Sequence, residues 1–225
     1  EVAIRDATNA FISEDKLNTE WKKLRFHAQP NLEEAIAEYL KFENLIINSS
    51  QDIIYLPESK NLTIDSIYAR DSILVSPKGL IICGMGRHSR RSEAFECAEI
   101  YRKKGYKIAG EIKLPGTIEG GDFIWIDENH AAVGLGPRTN KEGIYQLKEI
   151  IGNEVDLKIV KLPKPSHPDD VLHLMSIISP VDKDLSLIYR PFMPLSFISW
   201  LENLNMKFVD VSENEYNQMG CNVLA

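Results

Sequence analysis

Cysteine is scarce in this sequence, and its pattern argues against two classes of small protein. The 225 residues include three cysteines, Cys83, Cys97 and Cys221, and no CxxC motif. An odd number without that spacing is not typical of a disulfide framework or of a cysteine-ligated zinc site. The five histidines show no metal-ligand spacing either. We therefore expect no metal, no cofactor and a reducing, cytoplasmic compartment, in which each cysteine is core filler or a nucleophile.

Long apolar runs and an excess of positive charge are missing as well. No run approaches the roughly 18–20 apolar residues of a membrane span, and the first fifteen residues are polar, unlike a signal peptide. Lysine and arginine total 26 against 33 acidic residues, which gives a net charge of −7 at pH 7. This charge opposes nucleic acid and anionic membrane, and it is compatible with a small cationic substrate. The sequence predicts a soluble protein without nucleic-acid or membrane partners.

A recurring order of elements divides the chain into units of about 50 residues. In the clearest unit we predict strands at 72–76 and 80–83, a helix capped by Ser89, and a strand at 106–109. The order returns twice, with strands at 123–126, 131–135 and 155–160 around a helix capped by Asn140, and strands at 174–178, 185–189 and 206–211 around a helix at 194–204. The chain therefore reads as ββαβ units.

The two ends of the chain fit the repeat less fully. A helix capped by Asn31 precedes a predicted strand at 45–47, and residues 2–5 form a lone strand that we expect to pair with 222–224. The segment 7–29 receives no firm assignment. Three full units and one partial unit at each terminus, each counted as a unit, would give five units around a ring, which removes free sheet edges.

Four residues with reactive or charged side chains share one position of the repeat, just before the first strand of a unit. They are Asp71, Glu119, His173 and Cys221, at separations of 48, 54 and 48 residues. Equivalent positions of a radial repeat converge near its axis, so we expect all four in one cavity. A thiol that attacks, a histidine that moves protons and a carboxylate that orients it suit nucleophilic catalysis. Taken singly, each is also typical of a turn, a cap or a core position.

These residues stand in motifs that resemble the pentein superfamily of guanidino-group-modifying enzymes. The motifs are YARD with Asp71, SRR with Arg90, GTIEGGD with Glu119, GPRTN with Arg138, HLMS with His173 and MGCNVL with Cys221. The resemblance implies an α/β fold, a five-bladed propeller of ββαβ units with pseudo-fivefold symmetry, over a single domain 1–225. The closest likeness is to dimethylarginine dimethylaminohydrolase. Deiminases and amidinotransferases carry an Asp two residues after the histidine, where this chain has Met175.

The resemblance also implies a role for each site residue. Asp71 would hold the substrate guanidinium, Glu119 would bind His173, His173 would transfer protons, and Cys221 would attack the guanidinium carbon. The remaining site residues would bind the amino-acid end of the substrate. Arg90 and Arg138 would bind the α-carboxylate, and Asp65 would bind the α-ammonium. Arg87 and Arg91 are rival candidates for the role of Arg90.

The expected reaction converts an N-methylated arginine to citrulline plus methylamine through a covalent thiouronium intermediate. Two alternatives stay open: an arginine deiminase or amidinotransferase of the same superfamily, and a non-catalytic pentein that binds a partner. The sequence is compatible with a monomer or a homodimer.

Overall fold

The computed structural model of the protein describes residues 1–49, 52–164 and 172–223. Strands and helices alternate along most of this length. The strands are β1 (Val2–Ile4), β2 (Ile53–Tyr55), β3 (Ile73–Ser76), β4 (Gly79–Ile82), β5 (Ile108–Glu111), β6 (Phe123–Trp125), β7 (His130–Leu135), β8 (Asp156–Lys161), β9 (Ile178–Asp182), β10 (Leu185–Ile188) and β11 (Lys207–Asp210). The α-helices are α1 (Ala7–Phe11), α2 (Glu14–Glu20), α3 (Leu32–Ser49), α4 (Arg91–Lys103), α5 (Lys141–Ile151), α6 (Leu195–Asn203) and α7 (Glu213–Asn217).

Three sheets of three strands share one topology, which confirms the predicted ββαβ repeat. Their strand orders are β3-β4-β5, β6-β7-β8 and β9-β10-β11. In each sheet the first two strands are antiparallel and the third is parallel to the middle strand. A parallel neighbour needs a crossover connection, and α4, α5 and α6 supply it.

The fourth sheet differs from the sequence expectation. β1 pairs in parallel with β2, with Val2 opposite Ile53. The predicted strand at 45–47 is wrong, because these residues belong to the last turns of α3. Their short apolar run is compatible with either a strand or a helix, so periodicity alone could not decide. The Asn31 side chain does accept a hydrogen bond from the backbone N–H of Glu34, at 2.9 Å, as a cap would.

The expected pairing of residues 222–224 with the first strand does not appear. Asn222 and Val223 are not part of a strand, and Leu224 lies outside the described residues. The described residues therefore form four sheets, where five units were expected.

Two further boundaries shift because short 3₁₀ turns precede the regular elements. A turn at His88–Arg90 leads into α4, and no side chain caps this helix, so the predicted cap at Ser89 is wrong. Another turn, Leu174–Ser176, replaces the start of the strand predicted at 174–178. It is closed by reciprocal hydrogen bonds, from the His173 backbone N–H to Ser176 Oγ and from the Ser176 N–H to the His173 carbonyl.

The hydrophobic core has three parts. One cluster joins the β3-β4-β5 and β6-β7-β8 units, a second surrounds β9 and β10, and a third belongs to the segment from α1 to α3. In the third, Phe11, Leu17 and Leu24 are buried together with Ile64. The segment 7–29 is thus packed on the turn Ile64–Ile67. No helix in the described ranges combines the length and apolarity that a membrane span requires.

Asn140 generates a test of how the repeat is held together. Its Oδ1 accepts from the backbone N–H groups of Gly143, at 2.8 Å, and Thr117, at 3.0 Å, while its Nδ2 donates to the Pro115 carbonyl at 2.8 Å. We expect Asn140→Ala to lower the free energy of unfolding by about 2 kcal/mol, since it removes a helix cap and leaves loop groups unpaired. The measurement is urea unfolding followed by circular dichroism.

The matched variant is Asn140→Asp, which keeps both accepted hydrogen bonds. It should lose less than half of what the alanine variant loses. Equal losses in the two variants would contradict the assigned role of the cap.

Candidate active site

Three of the predicted site residues lie at equivalent short turns. Asp71 belongs to the 3₁₀ turn Ala69–Ser72 that leads into β3. Glu119 immediately precedes the turn Gly120–Asp122 before β6, and His173 precedes the turn before β9. Because each turn stands at the same point of a ββαβ unit, the repeat carries the three side chains to one place.

The three side chains form a buried cluster. His173 Nε2 lies 3.1 Å from Glu119 Oε2, and His173 Nδ1 lies 3.9 Å from Asp71 Oδ1. Their exposed fractions are 8% for His173, 1% for Glu119 and 7% for Asp71. The first distance is that of a hydrogen bond and the second is longer than one. One ring nitrogen is therefore held by Glu119, while the other faces Asp71 across a wider gap.

The charges of the cluster stabilise one another. Burial disfavours a charged imidazole, but the carboxylates of Asp71, Glu119 and Asp122 outweigh it and raise the pKa of His173 to about 9. Burial by itself raises the pKa of both carboxylic acids. The charge of His173 nevertheless keeps the pKa of Asp71 and of Glu119 below their ordinary values, and Arg90 adds to this effect at Asp71. At neutral pH the site holds an imidazolium between two carboxylates.

Cys221 is not a member of this cluster. Within the described residues, the group whose ligand atoms all lie within 4.8 Å of one another consists of Asp71, Glu119 and His173. Cys221 is 1% exposed, and its carbonyl accepts a hydrogen bond of 2.6 Å from Ser179 Oγ in β9. Burial raises the pKa of its thiol to about 11, against a hydrogen bond from the Tyr189 backbone. The structure thus brings Asp71, Glu119 and His173 together, and the convergence of Cys221 with them stays a prediction.

The two glycines after Glu119 make the close packing of the turns possible. A Cβ on Gly120 would collide with the Arg70 carbonyl, and a Cβ on Gly121 would collide with the ring of His173. The backbone N–H of Gly121 also donates to Asp71 Oδ1 at 2.9 Å. Only a residue without a side chain lets the backbone approach both neighbours this closely.

The guanidinium of Arg90 is bound by other residues of the protein. Its Nη1 contacts Asp71 Oδ2 at 2.7 Å, and its Nη2 donates to the Tyr68 carbonyl at 3.2 Å. Its Nε and Nη2 also form a paired interaction with the buried Glu93, at 2.9 and 2.7 Å. Sequence reasoning missed Glu93, although its position three residues after Arg90 at a helix start was a usable signal.

The remaining predicted binding residues lie around the cluster. Asp65 Oδ2 pairs with Arg87 Nη1 at 2.9 Å, and Arg138 Nη1 lies 3.9 Å from Glu119 Oε1. Burial raises the pKa of Asp65, with Arg87 opposing it. Arg87, a rival candidate in the sequence, donates its backbone N–H to Glu119 at 2.8 Å and a side-chain N–H to the Leu24 carbonyl at 2.9 Å.

The three side chains lie close enough together to bind a metal ion, but His173 is protonated. Two carboxylates and an imidazole are ordinary ligands for a divalent cation. A metal needs a neutral ring nitrogen, however, and both nitrogens of His173 face carboxylates that favour the imidazolium. The arrangement suits proton transfer beside a cationic ligand better than metal binding.

Solved structures of low sequence identity share the fold of this chain. The N-terminal domain of an arginine dihydrolase of cyanobacteria has a TM-score of 0.79 at 15% identity, and the comparison covers 99% of this chain and 79% of that one. A dimethylarginine dimethylaminohydrolase in an adduct with S-methyl-L-thiocitrulline has a TM-score of 0.73 at 23% identity, covering 95% and 77%. The chain therefore has the α/β fold of these enzymes, as the sequence predicted.

Sequence comparison then gives the family. A family model described as arginine deiminase matches residues 48–220, which is more than half of the chain. This protein therefore belongs to the arginine deiminase family. It is 25% identical over 194 residues to N(G),N(G)-dimethylarginine dimethylaminohydrolase of Pseudomonas aeruginosa, over 86% of this chain and 71% of the relative.

Two uncharacterized proteins are similar over less of their length. The chain is 29% identical over 131 residues to a protein of Aeropyrum pernix and 26% identical over 174 residues to YkgA of Bacillus subtilis. The matches cover 57% and 77% of this chain. They cover only 48% and 57% of those relatives, so the chain spans about half of their length.

The protonated His173 predicts a pH-dependent stability. Its folded pKa of about 9 lies above the ordinary 6.5, so protonation stabilises the fold. That stability is fully present below about pH 6.5 and is lost as pH rises through about 9. The difference in free energy of unfolding between the wild type and His173→Gln should fall by about 2 kcal/mol between pH ~7 and pH ~9.5.

Urea unfolding across this pH range measures the effect. His130→Gln is the matched control, because His130 is a more exposed histidine that also contacts a carboxylate, that of Asp127, at 2.8 Å. A free-energy difference for His173→Gln that stays constant between pH ~7 and pH ~9.5 would refute the buried imidazolium.

Proposed function

We propose that the protein is a cysteine-dependent hydrolase of a guanidinium carbon, which converts an N-methylated arginine to citrulline plus methylamine. The observation that carries the proposal is the buried imidazolium of His173 between Asp71 and Glu119. Membership of the arginine deiminase family and the 25% identity to a dimethylarginine dimethylaminohydrolase support it.

A guanidinium suits the acidic side of this cluster. It is planar, cationic and a fork of N–H donors, and carboxylates bind it through charge-assisted, paired hydrogen bonds. Asp71 would hold the substrate guanidinium, and Glu119 would keep His173 in place beside it. Binding at Asp71 brings the guanidinium next to His173 Nδ1, the ring nitrogen that is 3.9 Å from Asp71 and not hydrogen-bonded to it.

The reaction then proceeds in two displacements. The thiol of Cys221 loses its proton to solvent when the cationic substrate binds, and the sulfur forms a bond to the guanidinium carbon. His173 delivers its proton to the nitrogen of the methylated amine as the C–N bond breaks. A thiouronium remains on the cysteine. A water molecule, which loses a proton to His173, adds to the same carbon. The C–S bond breaks, the sulfur leaves with its electron pair and takes up the proton of the added hydroxyl, and neutral citrulline is released.

Cys221 needs the substrate for its activation in this proposal. Burial raises the pKa of the thiol to about 11, so it is protonated at neutral pH. A cation placed beside the sulfur favours the thiolate and lowers that pKa. The thiol must also come within bonding distance of the carbon held at Asp71, and the turn that carries Cys221 is the element that would bring it there.

A deiminase acting on unsubstituted arginine is the second candidate, because the matching family model is that of arginine deiminase. The residue two positions after His173 favours the methylated substrate. It is Met175, which is buried in the apolar cluster around β9 and β10 and offers no carboxylate to an unsubstituted guanidinium nitrogen.

A comparison of substrates tests this assignment. We expect citrulline to form from monomethyl- and dimethylarginine with a kcat/KM at least about tenfold above that for arginine, because Met175, two residues after His173, offers no carboxylate to the free nitrogen. Citrulline and the released amine are measured together. Ammonia from arginine as the main product would favour the deiminase, and transfer of the amidino group to an added amine would favour an amidinotransferase.

Cysteine variants test the nucleophile. Cys221→Ser should lower kcat by at least about 10³-fold, because a hydroxyl replaces the attacking thiol. Cys97→Ser is the matched control, since Cys97 is also a buried free cysteine but lies on the core face of α4. Full turnover by the Cys221 variant would overturn the mechanism, and equal losses in both variants would point to a folding defect.

A further inference from the structure

A fully buried carboxylate outside the predicted site lies beside the cluster. Asp122 ends the 3₁₀ turn Gly120–Asp122, and its exposed fraction is 0%. Its Oδ1 accepts a hydrogen bond of 3.1 Å from the backbone N–H of Leu174, the residue after His173. Its Oδ2 accepts a hydrogen bond of 2.7 Å from the hydroxyl of Thr139.

Thr139 links Asp122 to Glu119, the carboxylate that is hydrogen-bonded to the His173 ring. Its hydroxyl oxygen accepts from the backbone N–H of Glu119 at 3.3 Å. Thr139 also follows Arg138, whose guanidinium lies 3.9 Å from Glu119. A single carboxylate thus joins three separate stretches of chain, each of which carries a residue of the cluster or of its immediate surroundings.

Hydrogen bonding alone does not account for a charged residue at this position. A neutral asparagine could accept from the same backbone N–H, and burying a charge is unfavourable unless another charge compensates it. Burial raises the pKa of Asp122 to about 6, so it is still mostly ionised at neutral pH. His173 is the cation that opposes this rise.

The charges that face His173 come from two turns. Asp71 stands on one, and its charge is shared with Arg90; Glu119 stands on the other, near Arg138. Asp122 is the third carboxylate, and the hydrogen bonds that the structure describes for it come from neutral groups. Its negative charge is therefore compensated chiefly by the imidazolium.

We propose that Asp122 is a positioning residue that fixes the turn of His173 against Glu119 and supplies a negative charge that keeps the imidazole protonated. Its catalytic consequence depends on the proposed function, in which His173 gives a proton to the departing amine. The charge contribution can be measured without any turnover.

The first experiment follows the ring signals of His173 by NMR as a function of pH, with His173→Gln to assign them. Asp122→Asn should lower the pKa of His173 by about one unit or more, because an opposite charge beside the ring is lost. Asp127→Asn is the matched control: it removes a carboxylate from the same ββαβ unit, next to another histidine, and should leave His173 unchanged.

A second variant keeps the charged residue and weakens its support. Thr139→Val removes the hydroxyl that stabilises the ionised form of Asp122. Asp122 should then take up its proton at higher pH, and the pKa of His173 should fall, though less than in Asp122→Asn. This variant also serves if Asp122→Asn does not fold. An unchanged titration of His173 in a folded Asp122→Asn protein, or in Thr139→Val, would overturn the proposal.

Turnover gives the last readout. With methylated arginine, Asp122→Asn should lower kcat by up to about tenfold above pH ~9, where less of His173 is protonated, with little change in KM, since Asp71 still binds the guanidinium. The alkaline limb of the kcat profile should shift to lower pH together with the NMR titration. If the titration shifts but neither the wild type nor the variant turns over methylated arginine, the proposed function fails and the role of Asp122 stands.

Discussion

The buried imidazolium of His173 is the interaction on which the rest of the site depends. A charge in the interior is tolerated only where opposite charges and hydrogen bonds replace water. Here Asp71, Glu119 and Asp122 provide those charges, and each of these carboxylates is in turn anchored by a neighbour. The cluster is therefore a network whose members depend on one another, so the loss of one charge changes the protonation of the others.

The repeat explains why these groups meet. Each ββαβ unit begins with a short turn, and the turns of successive units pack on one another at the same end of their sheets. The turn from Glu119 to Asp122 contacts both of the others, through the Gly121 N–H at Asp71 and through Asp122 at Leu174. Residues separated by about 50 positions thus become neighbours without any unusual local conformation.

The sequence contained the repeat and the residue types, but not the pairings inside the site. The spacing of Asp71, Glu119 and His173 predicted their convergence, because equivalent positions of a repeat superpose. The contact between Arg90 and Glu93 and the buried position of Asp122 were not predictable in the same way, since many acidic residues stand near turns and only packing decides which are buried.

The predicted end of α3 was wrong because a short apolar run fits a helix and a strand equally well. Cys221 follows α7 in the chain, and its place beside the other three side chains stays a prediction.

The contact between Arg90 and Asp71 has a consequence for molecular recognition. The chain places the guanidinium of Arg90, which Glu93 also contacts, on the carboxylate of Asp71. Under the proposed function, this is the carboxylate that would bind the substrate guanidinium, so Arg90 occupies the place of the proposed ligand. A ligand that binds Asp71 must either share the carboxylate with Arg90 or break the ion pair. Its apparent affinity is then the intrinsic affinity multiplied by the fraction of molecules in which Asp71 is accessible.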